Sequence, residues 1–408
     1  MAGEVLDGVT SDPVRLGWMA GAPPLPEKRI LGARADHMRF PMIRWSYSNM
    51  RSFCPTVRVA ANGDGTPFPR ALRSDLGGVR FTPLGADSET TVEDSLLSAF
   101  TDGILVLHRG EVVYERWFGV TGPETRHIAF SVTKSFVGTL VQMLVGEGRI
   151  DLAVPVTSVI PELDGSGFGS ATIGQVLHMT SALDFSEEYG NPNSGIGAYS
   201  AALGLTPRPA SYTGPHNLWD YLTTVPGAGT HGEQFVYRTP NTDVLAWIIT
   251  RVTGQPFAEV LSERLWQPLG MLGDADLIVD EIGSPFAGGG LNLRLEDLAR
   301  FGEALRLGGL GVIPASDVER IRQGGEPERF NKQGYPLLGG WSYGSQWWHA
   351  HDNHGCFSAR GIHGQTLWID PVAEMVVARF ASHPTAANGA NDPHSLPAWR
   401  ALAEALMA

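Results

Sequence analysis

Ser131-Val132-Thr133-Lys134 opens a strongly apolar stretch, Phe130 to Val145 (FSVTKSFVGTLVQMLV), stopped by Gly146-Glu147-Gly148. Apolar residues nearly all round argue for a buried helix, and positions three apart share a helix face. A serine hydroxyl and a lysine amine can therefore meet there. A serine becomes a strong nucleophile only when a neighbour takes its proton. A lysine can do so when burial pulls its pKa down toward neutrality. The free N–H groups at the helix start would favour a developing oxyanion. A capping serine followed by a surface lysine would write the same four letters. Two facts favour chemistry: only Lys28, Lys134 and Lys332 occur in the chain, and Lys134 interrupts a helix with no polar face. A buried lysine needs a reason to be there.

A serine–lysine pair needs a third group to carry the proton to the leaving group. Tyr237, in Phe235-Val-Tyr-Arg-Thr-Pro-Asn241, stands just before a clear helix and has the right chemistry. A packed aromatic at a strand or loop end is the other reading of that residue.

The elements around these residues follow from periodicity. Thr91 to Phe100 reads as a capped short helix. Gly103–His108 and Glu111–Phe118 flank Arg109-Gly110 as a β-hairpin. Residues 151–290 read as helices joined by long loops, with helices over Thr242–Val252 and Phe257–Trp266. Leu295–Leu307 is an amphipathic helix. Thr366–Ile369 and Met375–Phe380 form a second hairpin around Asp370-Pro371, and a last helix covers Leu396–Leu406. Strands near both ends with helices between them predict an α/β domain carrying an inserted all-α domain. The expected division is an N-terminal arm and packing segment over 1–90, an α/β domain over 91–150 and 291–408, and a helical domain over 151–290. Met1 to Glu27 is expected to be a loosely packed arm, and His37 to Val59 a segment that packs on the body.

A chain of 408 residues, 43% hydrophobic and 18% charged, has the composition of a globular protein large enough for two lobes. Its net charge of −13 disfavours nucleic acid and anionic membrane. The first residues are acidic and proline-rich with no apolar core region, unlike a signal peptide. Cys54 and Cys356 are expected to be reduced thiols, which with the missing export signal points to the cytoplasm. A small molecule is the expected partner, with a homodimer left open.

Other constellations fail on context. His349, His351, Asp352, His354, Cys356 and His363 crowd one stretch, but their spacing matches no standard zinc pattern. Gly227–Gly232 spells G-x-G-x-x-G without a preceding strand or following helix. No G-x-S-x-G elbow occurs. Trp347-Trp348 reads as core or pocket wall.

Several motifs together resemble one family. HIAFSVTKSFVGTLVQMLVGEGRIDLAVPV is similar to the nucleophile helix of the serine β-lactamase and penicillin-binding protein superfamily. FVYRTPNTDVLAWIITRVTGQPF resembles its tyrosine motif, and LWQPLGM with GGGLNLRLEDLARFG resembles the class C-like branch. Within it the arrangement is most similar to 6-aminohexanoate-dimer hydrolases and family VIII-type carboxylesterases. The resemblance implies a β-lactamase-like fold, an antiparallel sheet flanked by helices with an inserted helical domain. It also implies acylation of Ser131, Lys134 as base, Tyr237 as proton carrier, and an oxyanion hole from the backbone N–H groups of Ser131 and Ile362. The counterpart of the family's third motif is Gly361–Gln365. Tyr189 resembles a substrate-covering lid tyrosine, and His363 is expected beside the substrate. No metal or organic cofactor is implied. Thr239 replaces the asparagine of Tyr-x-Asn, and no lysine stands near Ile362, which disfavours β-lactams. Ser200 and Thr385 stand where efficient nylon-dimer hydrolases carry acids. The function implied is hydrolysis of small esters or linear amides. A β-lactamase, a D-alanyl peptidase or a non-catalytic penicillin-binding-like module are the alternatives.

Overall fold

The computed structural model describes residues 6–330 and 335–408. The main sheet has seven antiparallel strands: β1 (Thr101–His108), β2 (Glu111–Trp117), β3 (Ser342–Gly344), β4 (Trp347–His349), β5 (Phe357–Gly361), β6 (Gln365–Asp370) and β7 (Met375–Ala381), ordered β2-β1-β7-β6-β5-β4-β3. The β1–β2 turn places Arg109 and Gly110 both at positive φ, 53° and 81°. That is the geometry whose twist suits a two-residue hairpin.

β1 is apolar at consecutive positions because both faces of the sheet are covered. Leu105 and Leu107 pack with Phe301 and Ala304 on one side. Ile104 and Val106 pack with Trp399 and Leu402 on the other. A period of two puts neighbouring side chains on opposite faces, so both must be apolar.

Four helices matter for the site: α1 (Thr133–Gly146), α2 (Pro240–Thr253), α3 (Leu295–Arg306) and the C-terminal α4 (Asp392–Met407). α1 is preceded by a 3-10 turn, Phe130–Val132, rather than running as one helix from Phe130. Phe257–Leu261 is α-helical and passes into a π-helical turn at Ser262–Trp266. α4 starts four residues earlier than periodicity suggests, because Pro393 fits the first turn, where no N–H is needed.

A second sheet, ordered Thr56–Val59, Ala275–Ile278, Leu291–Leu293, His127–Ile128, forms the platform from which the nucleophile turn springs. Ala275–Ile278 is thus a strand within a segment that reads as helical from its sequence. Its partner strand at residues 56–59 shows where the aromatic-rich segment packs: Tyr47, Met50, Cys54 and Val59 all enter the core.

Residues 1–5 of the expected arm lie outside the described residues; within the described part, the arm is tied to the body at Gly8. The guanidinium of Arg44, 2% exposed, pairs with Asp102 at 2.8 Å and donates to the carbonyls of Gly8 and Phe100. The other carboxylate oxygen of Asp102 meets His127 Nε2 at 3.2 Å. A buried pair of this kind is costly to break on one side, so it ties residue 8, the main sheet and the strand before Ser131 together. Both cysteines are buried and unbridged. Among the described residues, no helix is long and apolar enough to cross a membrane.

Gly138 sets how closely α1 approaches the β3–β4 turn. A Cβ there would lie 2.1 Å from the Ser345 carbonyl oxygen. Gly138→Ala should therefore lower stability by roughly 1–3 kcal/mol, the usual cost of overpacking. Urea unfolding checks this, and an unchanged midpoint would contradict the packing described.

Candidate active site

Ser131 lies at the end of a strained connection. Phe130, just before it, has φ 43°, an unusual value for an aromatic residue. Its ring is wedged against Tyr47, with ring centroids 4.9 Å apart. The Ala129 N–H donates to the Leu291 carbonyl at 2.8 Å, which fixes the turn to the second sheet. Ser131 is 9% exposed, and Lys134, on the first turn of α1, is 1% exposed.

Lys134 Nζ donates to Ser131 Oγ at 3.1 Å, to Thr239 Oγ1 at 3.3 Å and to the Gly288 carbonyl. Tyr237 completes the group: its hydroxyl hydrogen-bonds to Ser131, and its ring centroid is 5.2 Å from Lys134 Nζ. Burial pulls the Lys134 pKa down to about 8, against the attraction of Glu187 and Asp243, which holds it up. Burial also raises the Tyr237 hydroxyl well above its ordinary value, so it stays protonated and able to donate.

Ser131, Tyr237, Tyr189 and Ile362 share one cavity of about 540 Å³. Ile362 directly follows β5 and lines the cavity. One part of the wall is aromatic: Trp348 stacks on Tyr237 with centroids 5.6 Å apart. Strand alternation divides the tryptophan pair, leaving Trp347 fully buried in the core and Trp348 on the cavity. The Tyr189 ring is partly exposed, and its hydroxyl donates to Glu187.

His363 is not beside the substrate cavity. Its φ of 62° turns the chain after Ile362, and its ring packs between Tyr47 and Phe130 with Nδ1 2.6 Å from the His383 carbonyl oxygen. Burial pushes its pKa down to about 4, so it is a neutral packing residue behind the nucleophile turn. Ser200 donates to the Ile196 carbonyl within its own helix, and Thr385 lies in an exposed loop. Neither lines the cavity.

Several residues of the site escaped the sequence reading. Asp243, on α2, is 2% exposed; it accepts from the Gly288 N–H at 3.0 Å and from the Tyr199 hydroxyl at 2.7 Å. It thereby fixes the residue whose carbonyl holds Lys134. Burial raises its pKa to about 7. Glu187 accepts from the Thr239 N–H at 2.6 Å and from the Thr239 hydroxyl at 3.3 Å. Arg360 pairs with Asp392 in the cavity wall and lies over the Trp348 ring. A buried acid heading the apolar run Val244–Ile249 is the signal that could have found Asp243.

This geometry has relatives. Residues 94–396 match the Beta-lactamase family. The chain belongs to the beta-lactamase family. It is 37% identical over 349 residues to a 6-aminohexanoate-dimer hydrolase of Paenarthrobacter ureafaciens, covering 84% of this chain and 86% of that one. A Bacillus anthracis structure provisionally named as a 6-aminohexanoate-dimer hydrolase superposes with a TM-score of 0.84 at 31% identity, covering 95% of this chain and 99% of the other. The fold is also similar to that of a family VIII carboxylesterase, with a TM-score of 0.56 at 16% identity over 76% of this chain and 96% of that one. This beta-lactamase family member is a serine hydrolase with the family's α/β fold.

Glu187 and Asp243 both stabilise the charged form of Lys134. Replacing Asp243 by Asn removes one of those charges, so the lysine must lose its proton at lower pH. The acid limb of the pH–rate profile should move down in Asp243→Asn relative to wild type. A limb that stays in place or moves up would contradict this coupling.

Proposed function

We propose that this serine hydrolase cleaves small esters or linear amides through an acyl-Ser131 intermediate. The observation that carries the reading is the convergence of a buried lysine with its pKa drawn down to about 8 and a tyrosine hydroxyl on one serine oxygen, at a cavity floor. Neutral Lys134 takes the Ser131 proton as Oγ attacks the substrate carbonyl carbon. The carbonyl oxygen gains the negative charge and is met by the backbone N–H groups of Ser131 and Ile362. Collapse breaks the bond to the leaving alkoxide or amine, which takes a proton passed from Lys134 through Tyr237. Water then attacks the acyl group by the reverse path, releasing the acid and restoring Ser131.

The choice of substrate rests on the relatives and on the pocket. The Paenarthrobacter protein is named for a linear amide dimer. The aromatic cavity wall of Tyr237, Tyr335 and Trp348 suits an apolar acyl chain. Thr239 stands at the second position after the tyrosine and helps hold Lys134. We take β-lactams as the less favoured substrates and a purely ligand-binding module as the last alternative. Two buried, unbridged thiols support a reducing compartment, the cytoplasm.

A panel of a short p-nitrophenyl ester, 6-aminohexanoate dimer and nitrocefin on one preparation separates these readings. Ester or linear amide turnover should exceed that of nitrocefin. Ser131→Ala should lose activity by roughly 1,000-fold or more and lose fluorophosphonate labelling. Wild-type protein that neither labels nor cleaves any of the three substrates would remove the catalytic reading. Tyr237→Phe should lower kcat by roughly 100-fold with KM changed far less; an equal loss through KM alone would assign Tyr237 to binding instead.

A further inference from the structure

The histidine-rich stretch from the end of β4 to the turn after β5 separates into unrelated groups in the fold. His349 is buried within β4, His351 meets Ser342 Oγ at 2.6 Å, and His363 packs behind the nucleophile turn. His354 and Cys356 remain, and a residue distant in sequence joins them. β5 and β6 pair antiparallel with Phe357 opposite Ile369, so one further step along the ladder sets Cys356 beside Asp370. The Asp352 carboxylate accepts the N–H groups of His354 and Cys356 at 3.2 and 2.9 Å. This curls the loop back until His354 Nδ1 lies 2.8 Å from Asp370 Oδ2.

An imidazole nitrogen, the thiol sulfur and a carboxylate oxygen of these three residues lie within 4.8 Å of one another. Cys356 and Asp370 are 3% and 2% exposed. All three residues line a cavity of about 630 Å³, separate from the one that holds Ser131. Among the described residues, neither Asp352 nor Asp370 has an arginine or lysine within ion-pair distance; His354 is the partner Asp370 does have.

We propose that His354, Cys356 and Asp370 form a binding site for a zinc-like divalent transition metal ion, with cavity water as the fourth ligand. One nitrogen, one sulfur and one oxygen donor make a set that zinc accepts, and the thiolate argues against magnesium and calcium. Metal–ligand bonds of about 2.0–2.3 Å place tetrahedral ligands roughly 3.3–3.8 Å apart, so the 2.8 Å His354–Asp370 pair must open and any wider pair, none beyond 4.8 Å, must close for all three to reach one ion. On binding, the Cys356 S–H bond gives way to a sulfur–metal bond, and its proton leaves to solvent. The His354–Asp370 hydrogen bond is exchanged for bonds from each residue to the ion. Two ligands sit at paired strand ends, which fixes their positions in advance. The ion would pin the β4–β5 loop to β6 and takes no part in the acyl transfer.

The test is zinc retention by the full chain after dialysis into metal-free buffer. About one zinc ion per chain is expected, with magnesium not retained. Cys356→Ser and His354→Ala should each weaken zinc binding by at least about tenfold, ligand loss costing no less than loss of a supporting residue. The cobalt-loaded wild type should show a thiolate-to-metal charge-transfer band that is missing in Cys356→Ser. Melting curves of the metal-free proteins identify which variant folds like wild type; if neither does, the wild-type cobalt spectrum decides. Markedly substoichiometric zinc, equal retention by a well-folded variant, or a wild-type spectrum without the charge-transfer band would overturn the site.

Discussion

The burial of one ammonium group against one serine hydroxyl is the constraint that the surrounding structure serves. Taking a charged amine out of water is expensive unless its hydrogen bonds are replaced. Here Lys134 reaches Ser131, Thr239 and the Gly288 carbonyl. Desolvation then lowers its proton affinity, while Glu187 and Asp243 limit the fall. The opposing effects leave the pKa at about 8, where a useful fraction of neutral amine exists near neutral pH without the group becoming a weak base.

That arrangement needs three parts of the chain brought together. The second sheet and the strained Phe130 set the serine at the start of α1. The loop before α2 brings Tyr237 and Thr239, and Asp243 on α2 fixes the Gly288 peptide. The main sheet supplies Ile362 at the end of β5. Because α1 is buried along its length, its position is determined by packing on several sides. Gly138 is where α1 comes close enough to the β3–β4 turn to leave no room for a Cβ. The buried Arg44–Asp102 pair extends the same tie to the N-terminal segment.

The nucleophile and its base could be read from sequence because both lie within one helical turn, and because an isolated lysine stands out against apolar neighbours. The two hairpins were also legible, each with an apolar run on either side of a turn, two residues long in the first and four (371–374) in the second. Asp243 was hidden because an acid in the first turn of a helix ordinarily serves the helix dipole. Glu187 was hidden because it acts from a loop whose path has no periodic signal. His363 misled through adjacency: it follows Ile362 directly, but its left-handed backbone turns the ring to the opposite side. Ala275–Ile278 could not be assigned as a strand because its partners at residues 56–59 and 291–293 are remote or on the far side of a loop.

The rarity of lysine makes the central claim directly measurable. Only Lys28, Lys134 and Lys332 occur, so carbon-13 labelling of the lysine side chains yields three ε-carbon resonances that can be followed by NMR across a pH titration. One resonance, absent in Lys134→Met, is predicted to titrate with a midpoint near 8, well below the ordinary lysine value of about 10.4. A Lys134 resonance that titrates with the ordinary midpoint would contradict the account, because the amine would then be too rarely neutral to serve as the base.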